Sequence, residues 1–187
     1  IKKLALSFLA AVIMINSFHN QLNSSELTWY ASGNGGIVAA GPKSSVEAGL
    51  EMLSNGGNAV DAAVAVILNL AVSDYGSFCI GGEVPFMFYS VNTGKVRVFN
   101  GMGGAPGDPK AIETFYSEGI PEEMSGIKVS TVPSALSTIL KALEVNGTMS
   151  FEQIVRPTLE LLDKGGESWY HNLAMTFRKL IDTEKST

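Results

Sequence analysis

The side chains in this sequence that are able to act as nucleophiles or bases are few and far apart. Cys79 is the only cysteine, and the two histidines, His19 and His171, lie dozens of residues from it. A thiol needs an adjacent base to become a strong nucleophile, and the sequence places none beside Cys79. Because its neighbour Ile80 is apolar, we interpret Cys79 instead as a small, buried hydrophobic side chain. A single cysteine also excludes an internal disulfide and a multi-cysteine metal site.

Two glycine-containing segments have only a superficial likeness to phosphate-binding loops. The segment Gly101-Met-Gly-Gly-Ala-Pro106 has proline where a dinucleotide loop needs its third glycine, and it follows a predicted hairpin strand. In Gly41-Pro-Lys-Ser44 a proline interrupts the Gly-Lys pair of a P-loop. The sequence has no Gly-x-Ser-x-Gly motif and no histidine or carboxylate spacing typical of metal ligands. The residues alone therefore predict no catalytic centre, no cofactor and no metal.

The length and composition are those of one domain or part of one. The chain has 187 residues, 45% of them hydrophobic, which is enough to bury a core. The net charge is −5 and the basic residues are scattered, so no surface for nucleic acid is expected.

A tight turn between two helices is the clearest structural signal. Amphipathic residues 44–54 and strongly apolar residues 59–72 flank the sequence Asn55-Gly-Gly-Asn58. Glycines end the first helix and Asn58 caps the second, with Asp61 at the third helical position, the spacing of a capping box. The apolar second helix is expected to be buried.

The remaining segments alternate between short strands and helices. Residues 85–91 and 95–100 predict a hairpin, whose second strand we expect to be half-buried because Val96 and Val98 alternate with Lys95 and Arg97. The other predicted elements are a strand at 37–40, a short helix at 112–116, a strand at 128–132, a helix from Pro133, a helix behind a Ser150–Gln153 capping box, and a new helix beginning at Pro157.

The first residues have the features of a signal peptide. Lys2 and Lys3 precede the mostly apolar residues 4–15, a run too short for a membrane span. We therefore interpret residues 1–17 as a signal-peptide-like segment, residues 18–35 as a linker or mature N-terminus, and the protein as exported, periplasmic or extracellular. A buried N-terminal helix is the alternative interpretation of the same run.

One long pattern resembles a known family. The sequence from Gly36 through Asn55-Gly-Gly-Asn58 to Val66 is similar to the start of the large subunit of gamma-glutamyltranspeptidases. The similarity extends to about Gly166 and includes Ile80-Gly-Gly82, Ala105-Pro106, Val132-Pro133 and Asn146-Gly-Thr-Met149. Residues 36–187 are accordingly interpreted as an incomplete N-terminal portion of such a subunit.

This resemblance implies an N-terminal nucleophile hydrolase. Members have an α+β fold, a four-layer αββα sandwich, of which this portion is mostly helical. Their precursor cuts itself, and the new N-terminal threonine of the small subunit attacks γ-glutamyl amides such as glutathione, with its own amine as the base. No catalytic residue is then expected in this chain, because that threonine would lie downstream. The implied partners are the small subunit and a small-molecule amide, and no cofactor is implied.

The sequence departs from the family pattern at the position that binds substrate. Transpeptidases carry Asp-x-Arg-Glu-x-Ala-Pro after the hairpin, and the arginine binds the α-carboxylate of the glutamyl group. Here the segment is Asn100-Gly-Met-Gly-Gly-Ala-Pro106, so Met102 replaces the arginine and Gly103 the glutamate. Methionine cannot form the bidentate ion pair of a guanidinium with a carboxylate. Either Met102 packs inward while another residue binds the substrate, or the substrate itself differs.

Three hypotheses follow from the sequence. The first is an exported hydrolase or acyltransferase of this family whose substrate has diverged from ordinary γ-glutamyl compounds. The second is a non-catalytic homologue that keeps the scaffold but has lost substrate binding. The third is a free-standing helical domain, which we disfavour because strands without their partners would expose edges and apolar faces.

Overall fold

The computed structural model of the chain describes residues 30–119 and 126–186, which form an α+β fold dominated by helices. The strands are β1 Tyr30–Gly33, β2 Gly36–Ala39, β3 Phe86–Ser90 and β4 Lys95–Phe99. The helices are α1 Lys43–Ser54, α2 Ala59–Ser73, α3 Pro109–Glu118, α4 Ala135–Asn146, α5 Phe151–Asp163 and α6 Tyr170–Lys185. The predicted signal-peptide-like segment lies outside the described residues.

The described part begins with a small antiparallel hairpin. Strands β1 and β2 pair from Tyr30↔Ala39 to Gly33↔Gly36, and α1 packs against both. The predicted strand at 37–40 is confirmed as β2. Its partner β1 lies in the region that the sequence assigned to a linker, because a four-residue strand without clear alternation gives little signal.

The predicted turn between the first two helices is confirmed in detail. Gly56 has φ of 87°, the left-handed conformation that ends α1 without a side-chain clash. The Asn58 side-chain oxygen accepts from the backbone N–H of Val60 at 2.7 Å and of Asp61 at 3.2 Å. The Asn58 N–H donates to the Asp61 carboxylate at 2.8 Å, which completes a capping box at the start of α2.

Helix α2 is the buried centre of the fold, as its apolar sequence predicted. It packs against α1, α4 and α5, and α6 packs against α5. Two polar side chains, Ser45 of α1 and Asn69 of α2, are also buried and bond to each other at 3.1 Å. The core includes the fully buried side chains of Met52, Val64, Leu68, Ile139, Ile154 and Phe177.

The Asp61 carboxylate ties the start of α2 to the connection between α4 and α5. It is fully buried and accepts hydrogen bonds from the Thr148 N–H at 3.0 Å, the Thr148 hydroxyl at 2.6 Å and the Met149 N–H at 3.3 Å. The Asn58 side-chain amide donates to the Asn146 carbonyl at 2.6 Å. The turn that caps α2 therefore also fixes where α4 ends and α5 begins.

The hairpin of β3 and β4 has apolar side chains on both faces. Phe86, Phe88 and Phe99 pack towards the core, with ring centroids 6.2–6.3 Å apart. On the opposite face the cross-strand pairs Met87↔Val98 and Tyr89↔Val96 are all more than half exposed. The prediction that Val96 and Val98 face a core is wrong within the described residues, because the aromatic side chains on the other face occupy that role.

Two further predictions are wrong because tertiary packing overrides a local pattern. The predicted strand at 128–132 is a 3₁₀ turn at Ile127–Val129 followed by irregular backbone, and it pairs with no strand among the described residues. Pro157 lies inside α5 rather than at the start of a helix. The cost of about 3 kcal/mol for an internal proline is offset by burial of Ile154, Val155 and Leu162 on either side of it.

The α5 helix has two N-terminal stabilising features, one of which was predicted. Ser150 and Gln153 form the predicted capping box. Glu184, near the end of α6, adds a carboxylate that accepts a hydrogen bond from the Phe151 N–H at 2.8 Å.

Among the described residues no helix is both long and apolar enough to cross a membrane.

Replacement of Asp61 tests the link between α2 and the α4–α5 connection. We expect Asp61→Ala in the full-length gene product to lower the free energy of unfolding by about 3 kcal/mol, because several buried N–H groups lose a charged acceptor. Asp182→Ala, on the exposed face of α6, is the matched control and is expected to change it by less than about 0.5 kcal/mol. Chemical denaturation measures both free energies of unfolding. Equal effects of the two substitutions would contradict the conclusion that Asp61 holds α2 to the α4–α5 connection.

Candidate substrate-binding loop

Three chain segments meet at the loop that carries Met102. They are residues 82–84 before β3, residues 101–103 after β4, and residues 132–135 at the start of α4. The Gly101 carbonyl accepts from the Val84 N–H at 3.0 Å and from the Ser134 hydroxyl at 2.5 Å. The Gly82 carbonyl accepts from the N–H groups of Ser134 and Ala135, each at 3.0 Å. The helix start and the hairpin therefore hold the loop through its backbone.

Glycine is required at two positions of this loop. Gly101 has φ of 61°, and a Cβ there would lie 1.9 Å from the Val84 carbonyl oxygen. A Cβ at Gly103 would lie 2.4 Å from both the Cβ and the carbonyl oxygen of Val132. Real Cβ atoms do not approach a backbone so closely, so the glutamate that the family pattern has at the Gly103 position does not fit here without a backbone shift.

A carboxylate reaches the loop from another segment instead. The Glu83 Oε1 atom accepts a hydrogen bond from the Gly103 N–H at 2.9 Å. Sequence reasoning missed this role, although an acidic residue directly after Gly81-Gly82 in a glycine-bearing loop was a usable signal. Within the described residues, no hydrogen bond or ion pair joins a lysine or arginine side chain to residues 100–104. The charged side chain that bonds to this loop among the described residues is therefore Glu83.

Met102 projects from the loop rather than packing inward. Its side chain is 48% exposed, and Val132, whose backbone contacts Gly103, is 53% exposed. Within the described residues Met102 therefore does not pack inward, and the alternative that another residue binds the substrate stays a prediction. The loop thus presents two apolar side chains and one carboxylate.

Cys79 lies outside this loop, on the edge of a groove of about 450 Å³ between α2 and α6. It is a free, exposed thiol, so the prediction that it is buried is wrong.

Tyr75 in the same groove packs edge-on against Trp169, with ring centroids 5.7 Å apart, and its hydroxyl donates a hydrogen bond to Glu167 at 3.1 Å. This hydrogen bond, with the adjacent negative charge, raises the pKa of the exposed Tyr75 phenol. The part of the chain that the structure describes contains no cluster of three or more metal-ligating side chains.

Comparison with known proteins identifies the family. Residues 45–183 match the model of the gamma-glutamyltranspeptidase family. The chain belongs to this family, as the pattern around Asn55-Gly-Gly-Asn58 indicated.

Individual relatives show how much of the family's length is present. The glutathione hydrolase proenzyme of Bacillus subtilis is 31% identical over 137 residues, which are 71% of this chain but 23% of that protein. The gamma-glutamyltranspeptidase of Pseudomonas nitroreducens, solved in complex with L-DON, superposes with a TM-score of 0.62 at 25% identity, covering 81% of this chain and 46% of that one. The cephalosporin acylase of Bacillus halodurans superposes with a TM-score of 0.56 at 27% identity, and the match covers 65% of this chain and 23% of that one. The chain thus spans about a quarter of the length of the curated relative that it matches.

The two glycines at the centre of the loop provide a matched test of its packing. We expect Gly103→Ala to destabilise the protein by about 1–3 kcal/mol, because the new Cβ would overlap the Val132 backbone. Gly104→Ala is the control, since nothing lies within 4 Å of a Cβ there, and a change of less than about 0.5 kcal/mol is expected. Thermal and chemical unfolding of the two variants measure the difference, and equal stability would show that the loop does not have this conformation in solution.

Proposed function

We propose that the full-length gene product is a self-processing N-terminal nucleophile hydrolase that hydrolyses or transfers the acyl group of γ-glutamyl or related amides. The observation that carries this proposal is the continuous family match over residues 45–183. It is supported by fold similarity both to a gamma-glutamyltranspeptidase and to a cephalosporin acylase. These two relatives differ in the amide that their names specify, so the proposal extends to amides other than γ-glutamyl compounds.

The proposed reaction uses an N-terminal threonine that self-cleavage creates in a small subunit. Its hydroxyl oxygen attacks the amide carbonyl, and its free α-amine accepts the hydroxyl proton. The C–N bond then breaks, the leaving amine takes up a proton, and the acyl group remains on the threonine as an ester. Water completes hydrolysis, or a second amine completes transfer. In this scheme residues 36–187 supply scaffold and substrate contacts rather than reacting groups.

The β3–β4 hairpin supports a place for this chain within a four-layer αββα sandwich. Its inner face packs on helices, whereas its outer face carries exposed Met87, Tyr89, Val96 and Val98. An antiparallel hairpin in water normally has polar side chains on its outer face. Apolar side chains on both faces are typical of a strand between two layers, and the small subunit is the proposed source of the second layer.

The proposed location is outside the cytoplasm, either periplasmic or extracellular. It is based on the two lysines and the apolar run in residues 1–17, which are typical of a signal peptide.

A non-catalytic scaffold is the second candidate, and one observation favours it. Met102 provides no charge-assisted contact for a substrate carboxylate, and the carboxylate of Glu83 contacts the next residue of the loop. A protein that no longer binds γ-glutamyl compounds need not retain the reaction.

Self-cleavage distinguishes the two candidates. We expect the intact mass of the purified full-length gene product to resolve, on incubation, into two polypeptides, the second beginning with threonine. Replacement of that threonine with alanine is expected to leave one uncut chain, whereas Thr183→Ala, on the exposed end of α6, is a control that leaves processing unchanged. A wild-type protein that stays a single polypeptide would refute the enzymatic proposal and support the scaffold.

A further inference from the structure

We infer that the loop carrying Met102 selects acyl groups with no negative charge at the position where a γ-glutamyl group carries its α-carboxylate. The inference rests on the proposed function, because it concerns which amide the same site accepts. It assigns specificity to three residues: Met102, Val132 and Glu83.

The charged group beside Met102 is the Glu83 carboxylate. Glu83 accepts from the Gly103 N–H at 2.9 Å, so its carboxylate lies against the residue that follows Met102. Among the described residues, no lysine or arginine side chain bonds to this loop to balance that charge. A substrate carboxylate placed beside Met102 would meet a like charge instead of a cation, and like charges at short range disfavour the ionised form of both groups. An uncharged or cationic substituent has no such penalty.

The surface that a ligand would contact at this loop is apolar. Met102 and Val132 are both about half exposed, and they belong to segments in direct contact through Gly103. Methionine is flexible and polarizable, so it adapts to apolar groups of different shape. These two side chains and the nearby carboxylate suit an aliphatic acyl chain that is neutral or carries an amine.

The hydrogen bonds that hold the loop do not involve the side chain at position 102. They come from the Gly101 carbonyl and the Gly103 N–H, which bind Val84, Ser134 and Glu83. None uses the Met102 side chain. A substitution at Met102 therefore changes what the loop presents to a ligand while the backbone that positions it stays in place.

Four p-nitroanilides that differ only in two substituents test this inference on the full-length, processed protein. The γ-glutamyl compound carries both the carboxylate and the amine, and the glutaryl compound carries only the carboxylate. The 4-aminobutyryl compound carries only the amine, and the butanoyl compound carries neither. We expect the two amides without a carboxylate to have kcat/KM at least about tenfold above their carboxylate-bearing counterparts, the size expected for one charged contact.

Variants at two positions assign the selectivity to the loop. Met102→Arg is expected to raise kcat/KM for the γ-glutamyl and glutaryl amides by about tenfold or more, because it supplies a guanidinium to the carboxylate. Met102→Leu, the matched control, is expected to keep the wild-type order. Glu83→Gln keeps an acceptor for the Gly103 N–H but removes the charge. We expect it to reduce severalfold the ratio of kcat/KM for the amides without a carboxylate to kcat/KM for those with one.

The outcomes separate this inference from the proposed function. Equal or higher kcat/KM for the carboxylate-bearing amides would overturn the inference and leave the proposed function intact. A protein that neither cuts itself nor cleaves any of the four amides would overturn both. If a processed protein cleaves none of them, calorimetric binding of 4-aminobutyrate and L-glutamate decides: tighter 4-aminobutyrate binding supports the inference, and tighter or equal L-glutamate binding overturns it.

Discussion

The arrangement of the helices depends on one buried carboxylate. A charged group inside a protein is tolerated only when hydrogen bonds replace its lost hydration. Asp61 meets this condition with donors from two distant parts of the chain, the Asn58 N–H beside it and Thr148 and Met149 between α4 and α5. It also lies at the N-terminus of α2, where the helix dipole favours a negative charge. A local capping residue thereby fixes the long-range packing of the helices.

This constraint reaches the candidate site through α4. The end of α4 is held to Asn58 through the Asn146 carbonyl, and its beginning bonds through Ser134 to the carbonyls of Gly82 and Gly101. The loop with Met102 is therefore positioned by a helix whose other end is anchored in the core. Because the loop is held through its backbone, its exposed side chains are the groups that a ligand would contact.

The sequence predicted well what local chemistry determines. The Asn55–Asn58 turn, both capping boxes and the β3–β4 hairpin follow from residues within a few positions of each other. The errors concern features that tertiary packing decides. Pro157 remains inside α5 because its neighbours are buried, and the outer face of the hairpin is exposed because the phenylalanines of the same hairpin face the core. The position of Met102 was available from the family pattern. The position of Glu83 after Gly81-Gly82 marked it as a candidate, but its partner Gly103 could not be predicted, because the contact links residues twenty positions apart.

The most direct test of this account is a double-mutant cycle between Asp61 and Thr148 in the full-length gene product. Thr148→Val removes the hydroxyl that donates to Asp61 at 2.6 Å and preserves the shape of the side chain. The unfolding free energies of the wild type, Asp61→Ala, Thr148→Val and the double variant give the coupling between the two sites. The account predicts a coupling energy of about 1–3 kcal/mol. Effects that add to within about 0.3 kcal/mol would contradict it, because the two residues would then stabilise the protein independently.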